Sequence, residues 1–153
     1  MNTLKIKIPD GHKIGAFNQQ TGEITFEPIP KTITERIKNF EDVLKELDID
    51  PQDFHTKTHR LDKDTQAYEK IKLIVRALNE GWTPDWSNSN EYKYFPWFKM
   101  GSPSGSGFRF DDCDDWDSRS YVGSRLAFKT KELAEYAGEQ FEDIYKDFLI
   151  INN

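Results

Sequence analysis

Residues 91–129 read EYKYFPWFKMGSPSGSGFRFDDCDDWDSRSYVGSRLAFK, and how this stretch divides into strands and loops decides the fold. EYKYFPWFKM (91–100) is crowded with aromatic residues that favour strands. GFRF (107–110) and SRLAFK (124–129) are two further short strand candidates. Between them DDCDDWD (111–117) places five aspartates and the only cysteine within seven residues. The expectation is a small antiparallel β-meander. GSPSGSG (101–107) then serves as a hairpin connection, and the acidic run as a solvated loop at the tip between GFRF and SRLAFK.

Downstream, Thr130 precedes KELAEYAGEQFEDIYKDFLI, where Leu133, Ala137, Phe141, Ile144, Tyr145 and Phe148 recur at helical spacing. This is the strongest amphipathic pattern in the chain and predicts one long C-terminal helix. Upstream, GWTPDWSNSN (81–90) is dense in Pro, Asn and Ser and reads as a loop. Ala67, Ile71, Ile74, Val75 and Leu78 share a face of a helix over about 65–80, which Gly81 is placed to end. Asp50-Pro51 opens a shorter turn or helix, with Asp as cap and Pro at the first position. Thr32-Ile33-Thr34-Glu35 has capping-box form, and Ile33, Ile37, Phe40, Leu44 and Leu47 extend a stripe over 32–47.

At the N-terminus Leu4, Ile6 and Ile8 alternate with lysines in strand period, followed by a Pro9-Asp10-Gly11 turn. Ile24, Phe26 and Pro28 alternate after Thr21-Gly22, so residues 1–30 read as a β-hairpin with a long polar connection. The fold class is therefore α+β: an N-terminal β-hairpin and two or three helices, then a small antiparallel β-meander packed against a long C-terminal helix. The expectation is a single domain over 1–153. Within it the composition shift marks a sub-division into 1–80, hairpin plus helices, and 81–153, aromatic β-meander plus C-terminal helix.

A chain of 153 residues buries enough surface to fold without a staple. It is polar, at 36% hydrophobic and 31% charged, but 14% aromatic content supplies large apolar areas to bury. A net charge of −6 disfavours a general binder of nucleic acid or membranes. The single Cys113 cannot form an internal disulfide, which suits a reducing compartment. MNTLKIKIP lacks the apolar core of a signal peptide, and no apolar run approaches the ~18 residues of a membrane span. A cytoplasmic location in a bacterial host cell and no membrane partner are expected.

Each candidate site also has a duller use for the same residues. No frame of the aspartate run gives three alternating oxygen ligands followed by Gly, as an EF-hand loop needs. Cys113 has no Cys or His partner nearby for zinc, and the surrounding negative charge disfavours its thiolate. His55 and His59 stand four apart but lack the Glu of HExxH, and read as surface polar residues. GSPSGSG leads into a strand with no Lys, so it is no phosphate loop, and Pro103 occupies the Ser position of a G-x-S-x-G elbow. The residues support no catalytic set, metal site or cofactor.

The aromatic run carries more. Core packing claims most of its rings, while any left exposed suit a binding surface. The candidate binding residues are Trp82, Trp86, Tyr92, Tyr94, Trp97, Phe98, Arg109 and Arg125. Lys93 and Lys99 belong to the same basic and aromatic neighbourhood, which could stack and neutralise single-stranded nucleic acid.

GWTPDWSNSNEYKYFPWF, VGSRLAFKTKELAEYAGEQFEDIYKDFLI and the N-terminal IKIPDGHKI…ITFEPIPKT resemble uncharacterised proteins encoded by phages and prophages of intestinal anaerobic bacteria. The shared ending is Phe-Lys-(Ser/Thr)-x-Glu-Leu-Ala (Phe128–Ala134 here) before an aromatic helix. These residues define a fold rather than a catalytic site, so the resemblance implies a small phage-derived accessory protein and carries over no functional residue. The expected function is a non-enzymatic protein-binding module, its acidic surface suited to a basic partner. Single-stranded nucleic-acid binding around residues 92–98 is the alternative, and a divalent-metal-dependent hydrolase at the aspartates a third.

Overall fold

A computed structural model of the chain describes residues 5–151. The chain separates into two compact units, Met1–Thr32 and Ile33–Asn153.

The first unit is a β-hairpin, as expected, but its first strand lies further along. β1 (His12–Phe17) pairs antiparallel with β2 (Ile24–Pro28). Residues 5–8 form no strand, and Leu4 lies outside the described residues. The Pro9-Asp10-Gly11 turn therefore precedes β1, closed by His12 N–H donating to Pro9 O. Pairing with Ile29 explains the shift, because its N–H donates to Gly11 O and brings the chain at Gly11 opposite the end of β2. Asn18 organises the connection: its carboxamide oxygen accepts from the backbone of Gln20 and Thr21.

The second unit is α+β. Its helices are α1 (Ile33–Arg36), α2 (Phe40–Glu46), α3 (Pro51–Thr58), α4 (Lys63–Leu78), α5 (Lys131–Gln140) and α6 (Glu142–Leu149). Its sheet pairs β3 (Lys93–Lys99) with β4 (Arg109–Trp116), antiparallel. Ile37, Val43, Ile71, Ile74, Leu78, Phe128, Ala134 and Ala137 are buried in one core. Residues on both sides of Gly81 fill it, so the composition change at 80/81 is no boundary of packing. Among the described residues no helix is long and apolar enough to cross a membrane.

Two expected helices are each broken, for visible reasons. The 32–47 stripe divides into α1 and α2 because Asn39 takes an extended conformation and caps α2, accepting from Asp42 N–H at 2.9 Å. The carbonyls of Ile37 and Lys38 turn away from any helix and accept instead from Tyr136 Oη–H and Gln140 Nε2–H of α5. The C-terminal helix breaks at Phe141, with φ −119° and ψ 27°. That bend lets Phe141 and Tyr145 both enter the core. Asp50 caps α3 as expected, accepting from Gln52 and Asp53 N–H, and Thr130 caps α5 by accepting from Leu133 N–H.

The largest correction concerns the acidic run. It is not a loop beyond GFRF but the body of β4, with Phe95 opposite Asp114 and Trp97 opposite Asp112. SRLAFK, conversely, is not a third strand. Only Tyr94 and Phe128 form a bridge, exchanging hydrogen bonds of 3.0 and 2.8 Å. The ladder stops there because Asn79, buried at the end of α4, holds the flanking peptides. Its amide donates to Ala127 O at 2.8 Å and accepts from Lys129 N–H at 3.0 Å.

Candidate functional site

β3 and β4 set the geometry. Side chains alternate along β3, and Tyr94, Pro96 and Phe98 turn toward the helices. The ring of Phe98 lies 4.8 Å from that of Tyr145 and 5.1 Å from that of Phe108. Lys93, Phe95 and Trp97 occupy the opposite face. There Phe95 stacks on Trp116 at 6.5 Å, and Trp116 meets Tyr121 edge-on at 5.3 Å. The inner end of this row is covered, whereas Trp97 is 49% exposed and Tyr121 85% exposed.

Of the residues singled out from sequence, Tyr94 and Phe98 are half-buried against the core. Burial pushes the Tyr94 hydroxyl above its ordinary range, and neighbouring acids add to the effect. Trp86 is a tie between loops: its indole N–H donates to Ser124 Oγ at 2.6 Å. Tyr92 and Trp97 are exposed, as are Arg109, paired opposite Lys99, and Arg125. Trp82 and Arg125 line one groove beside α4, apart from the sheet face.

Lys93 departs most from expectation, being 1% exposed and so withdrawn from any phosphate. Its ammonium donates to the carbonyls of Asn88 and Glu91, pairs with the Glu91 carboxylate and sits over the Trp86 ring. It serves as the internal anchor of loop 86–92. Its burial leaves no mark in composition, because alternation alone makes it equal to Lys99.

The aspartates line the outer edge of the sheet. Tyr94 spends both backbone groups on Phe128, so it faces away from β4, and alternation then turns the N–H groups of Asp115 and Cys113 outward. Each is capped by the preceding carboxylate. Asp112 Oδ1 accepts from Cys113 N–H at 2.8 Å, and Asp114 Oδ1 from Asp115 N–H at 2.9 Å. Asp117 does the same for Ser118, which holds its carboxyl below the usual range.

No family model, curated protein or solved structure matches the chain significantly. Its function is therefore read from its own surfaces.

One group of metal-type donors forms among the described residues: Asp112, Cys113 and Glu135 offer atoms within 4.8 Å of one another. Glu135, on α5, was beyond a reading confined to the local run. Lys131 already lies among them, its ammonium 3.9 Å from Asp112 and 3.5 Å from Glu135. Burial raises the Cys113 thiol to about 11, with nearby carboxylates adding and Lys131 opposing. The dominant cause is desolvation rather than the aspartates. His55 and His59 stack on each other, and the His59 ring bonds the carbonyls of His55 and Thr56, closing α3.

Proposed function

We propose that this protein is a non-enzymatic protein-binding module that receives a basic segment of its partner on the outer face of β3 and β4. The observation that carries the reading is Trp97: a large indole, half exposed, on a strand whose register sets Asp112 directly opposite. Partly exposed Trp and Tyr are the side chains from which binding hot spots are built. An Arg or Lys of the partner can lie over the indole while its charge meets the β4 carboxylates. Asp114, opposite Phe95 on this face, has no cationic partner among the described residues, so its charge is available. Work within a phage or prophage programme in the host cytoplasm is part of the same proposal.

Single-stranded nucleic-acid binding has less support. Tyr94 and Phe98 turn away from Trp97, Lys93 is buried, and the exposed ring is flanked by carboxylates that repel phosphate. A metal-dependent hydrolase would have to displace Lys131 from the Asp112–Glu135 pair.

Affinity capture from induced or infected host cells, read by mass spectrometry, tests the proposal with three baits: the parent chain, Trp97→Ala and Asp114→Lys. Proteins held by the parent and lost from both variants support it. An unchanged set of captured proteins on all three baits rules this face out.

A further inference from the structure

Away from the sheet face, the second unit builds a groove of opposite charge. α4 ends at Leu78, and Glu80 and Gly81 then take left-handed conformations, φ 48° and 85°. This reversal, closed by Trp82 N–H donating to Asn79 O at 3.0 Å, brings Trp82 back beside the helix it has just left. The Trp86–Ser124 hydrogen bond ties loop 82–90 to the segment carrying Arg125. The open groove so formed holds about 410 Å³, within the range of small-molecule sites.

The lining has two characters. Trp82 and Pro84 supply an apolar wall, while Lys72, Arg76 and Arg125 supply cations. Glu69 pairs with Lys72 at 2.6 Å. Neither guanidinium has a carboxylate partner among the described residues, and the Trp82 indole N–H has no acceptor there. Three cations against one carboxylate leave a local charge of +2 (3 − 1) on a chain whose net charge is −6. Two free planar guanidiniums are suited to a multi-oxygen anion.

We propose that this groove binds a small phosphate monoester, its phosphate held by Arg76 and Arg125 and its organic part against Trp82. A phosphate monoester carries about −1.5 to −2 charges at neutral pH, which matches the unpaired cations. A groove of about 410 Å³ matches the size of a small molecule. The site is independent of the sheet-face reading, since it shares no residue with it.

The indole N–H signals of the ¹⁵N-labelled protein provide the test, with Trp82→Phe assigning the relevant one. Phenyl phosphate is the probe, with inorganic phosphate and phenol as its two halves. Phenyl phosphate is expected to move the Trp82 signal saturably, more tightly than either half. Arg76→Ala and Arg125→Ala are each expected to weaken that binding about tenfold or more, with circular dichroism confirming that both variants remain folded. No movement at millimolar phenyl phosphate overturns the proposal. So does equal binding by inorganic phosphate, or undiminished affinity in both folded arginine variants.

Discussion

Gly138 of α5 lies so close to Phe110 of β4 that a Cβ added there would stand 2.3 Å from Phe110 Cδ2 and 2.6 Å from Cε2. Pro96 of β3 closes the same space, its Cβ 2.9 Å away. The missing side chain is thus what lets a helix lie directly on the two-stranded sheet. Alanine is preferred over glycine within a helix by about 1 kcal/mol, but overpacking a core costs about 1–3 kcal/mol. Gly138→Ala is therefore expected to lower stability in denaturant unfolding. Combined with Phe110→Leu, the loss should be smaller than the sum of the two single changes. A stabilised Gly138→Ala protein would refute the close contact.

Cys113 lies between β4 and α5, and burial raises its thiol from an ordinary 9.0 to about 11. Only the thiolate is nucleophilic. Iodoacetamide should modify the native protein slowly at neutral pH, with the rate climbing toward pH 11. The unfolded chain should react faster at neutral pH and show its rise near the ordinary thiol value. Lys131 stabilises the thiolate, so Lys131→Gln should slow the native reaction further. Equal rates in the native and unfolded protein would contradict the burial.

Much of the fold was legible because it rests on local rules. The cap at Asp50 and the core stripes of α4 and α5 follow from spacing within single elements. What escaped sequence reading depends on partners distant in the chain. The break after Ile37 answers to Tyr136, ninety-nine residues away. The aspartate run was misread because charge and absent alternation argue for solvent, yet an edge strand with one outer side tolerates both. Of the candidate site, exposed Trp97 and Arg125 were identified. Arg76 was missed because on α4 it is one more charge on an amphipathic helix, and only the turn at Glu80–Gly81 brings it to Trp82.

Asn79 shows how one distant contact shapes the sheet. Its carboxamide, 4% exposed, satisfies Ala127 O and Lys129 N–H on either side of Phe128, which bridges to Tyr94 of β3. Replacing it by Ala would leave two poorly solvated backbone groups without partners, at about 1–3 kcal/mol each when fully buried. Asn79→Ala is expected to reduce stability by about 2 kcal/mol or more and to speed amide hydrogen exchange at Lys129. Asn79→Asp keeps the acceptor and loses the donor, so it should protect Lys129 while still losing stability. Unchanged exchange at Lys129 in the Ala variant would remove Asn79 from this role.

The outer edge of β4 poses the problem every open sheet faces: unpaired N–H groups invite another strand. Among the described residues no strand covers this edge, and two devices guard it. The carboxylates of Asp112 and Asp114 occupy the N–H groups of Cys113 and Asp115, and their charge repels a like strand. Replacing both by Thr removes the charge and raises strand propensity, so the double variant should form oligomers detectable by light scattering at concentrations where the parent is not associated beyond its own state. Replacing both by Lys removes the carboxylate caps but restores a charged edge, which natural sheets also use. If the Thr variant associates and the Lys variant does not, charge is the effective guard and capping is secondary. If both associate, the carboxylate caps are required. Should neither associate, the aspartates are not protecting the edge, and their retention on β4 would rest on partner binding beside Trp97.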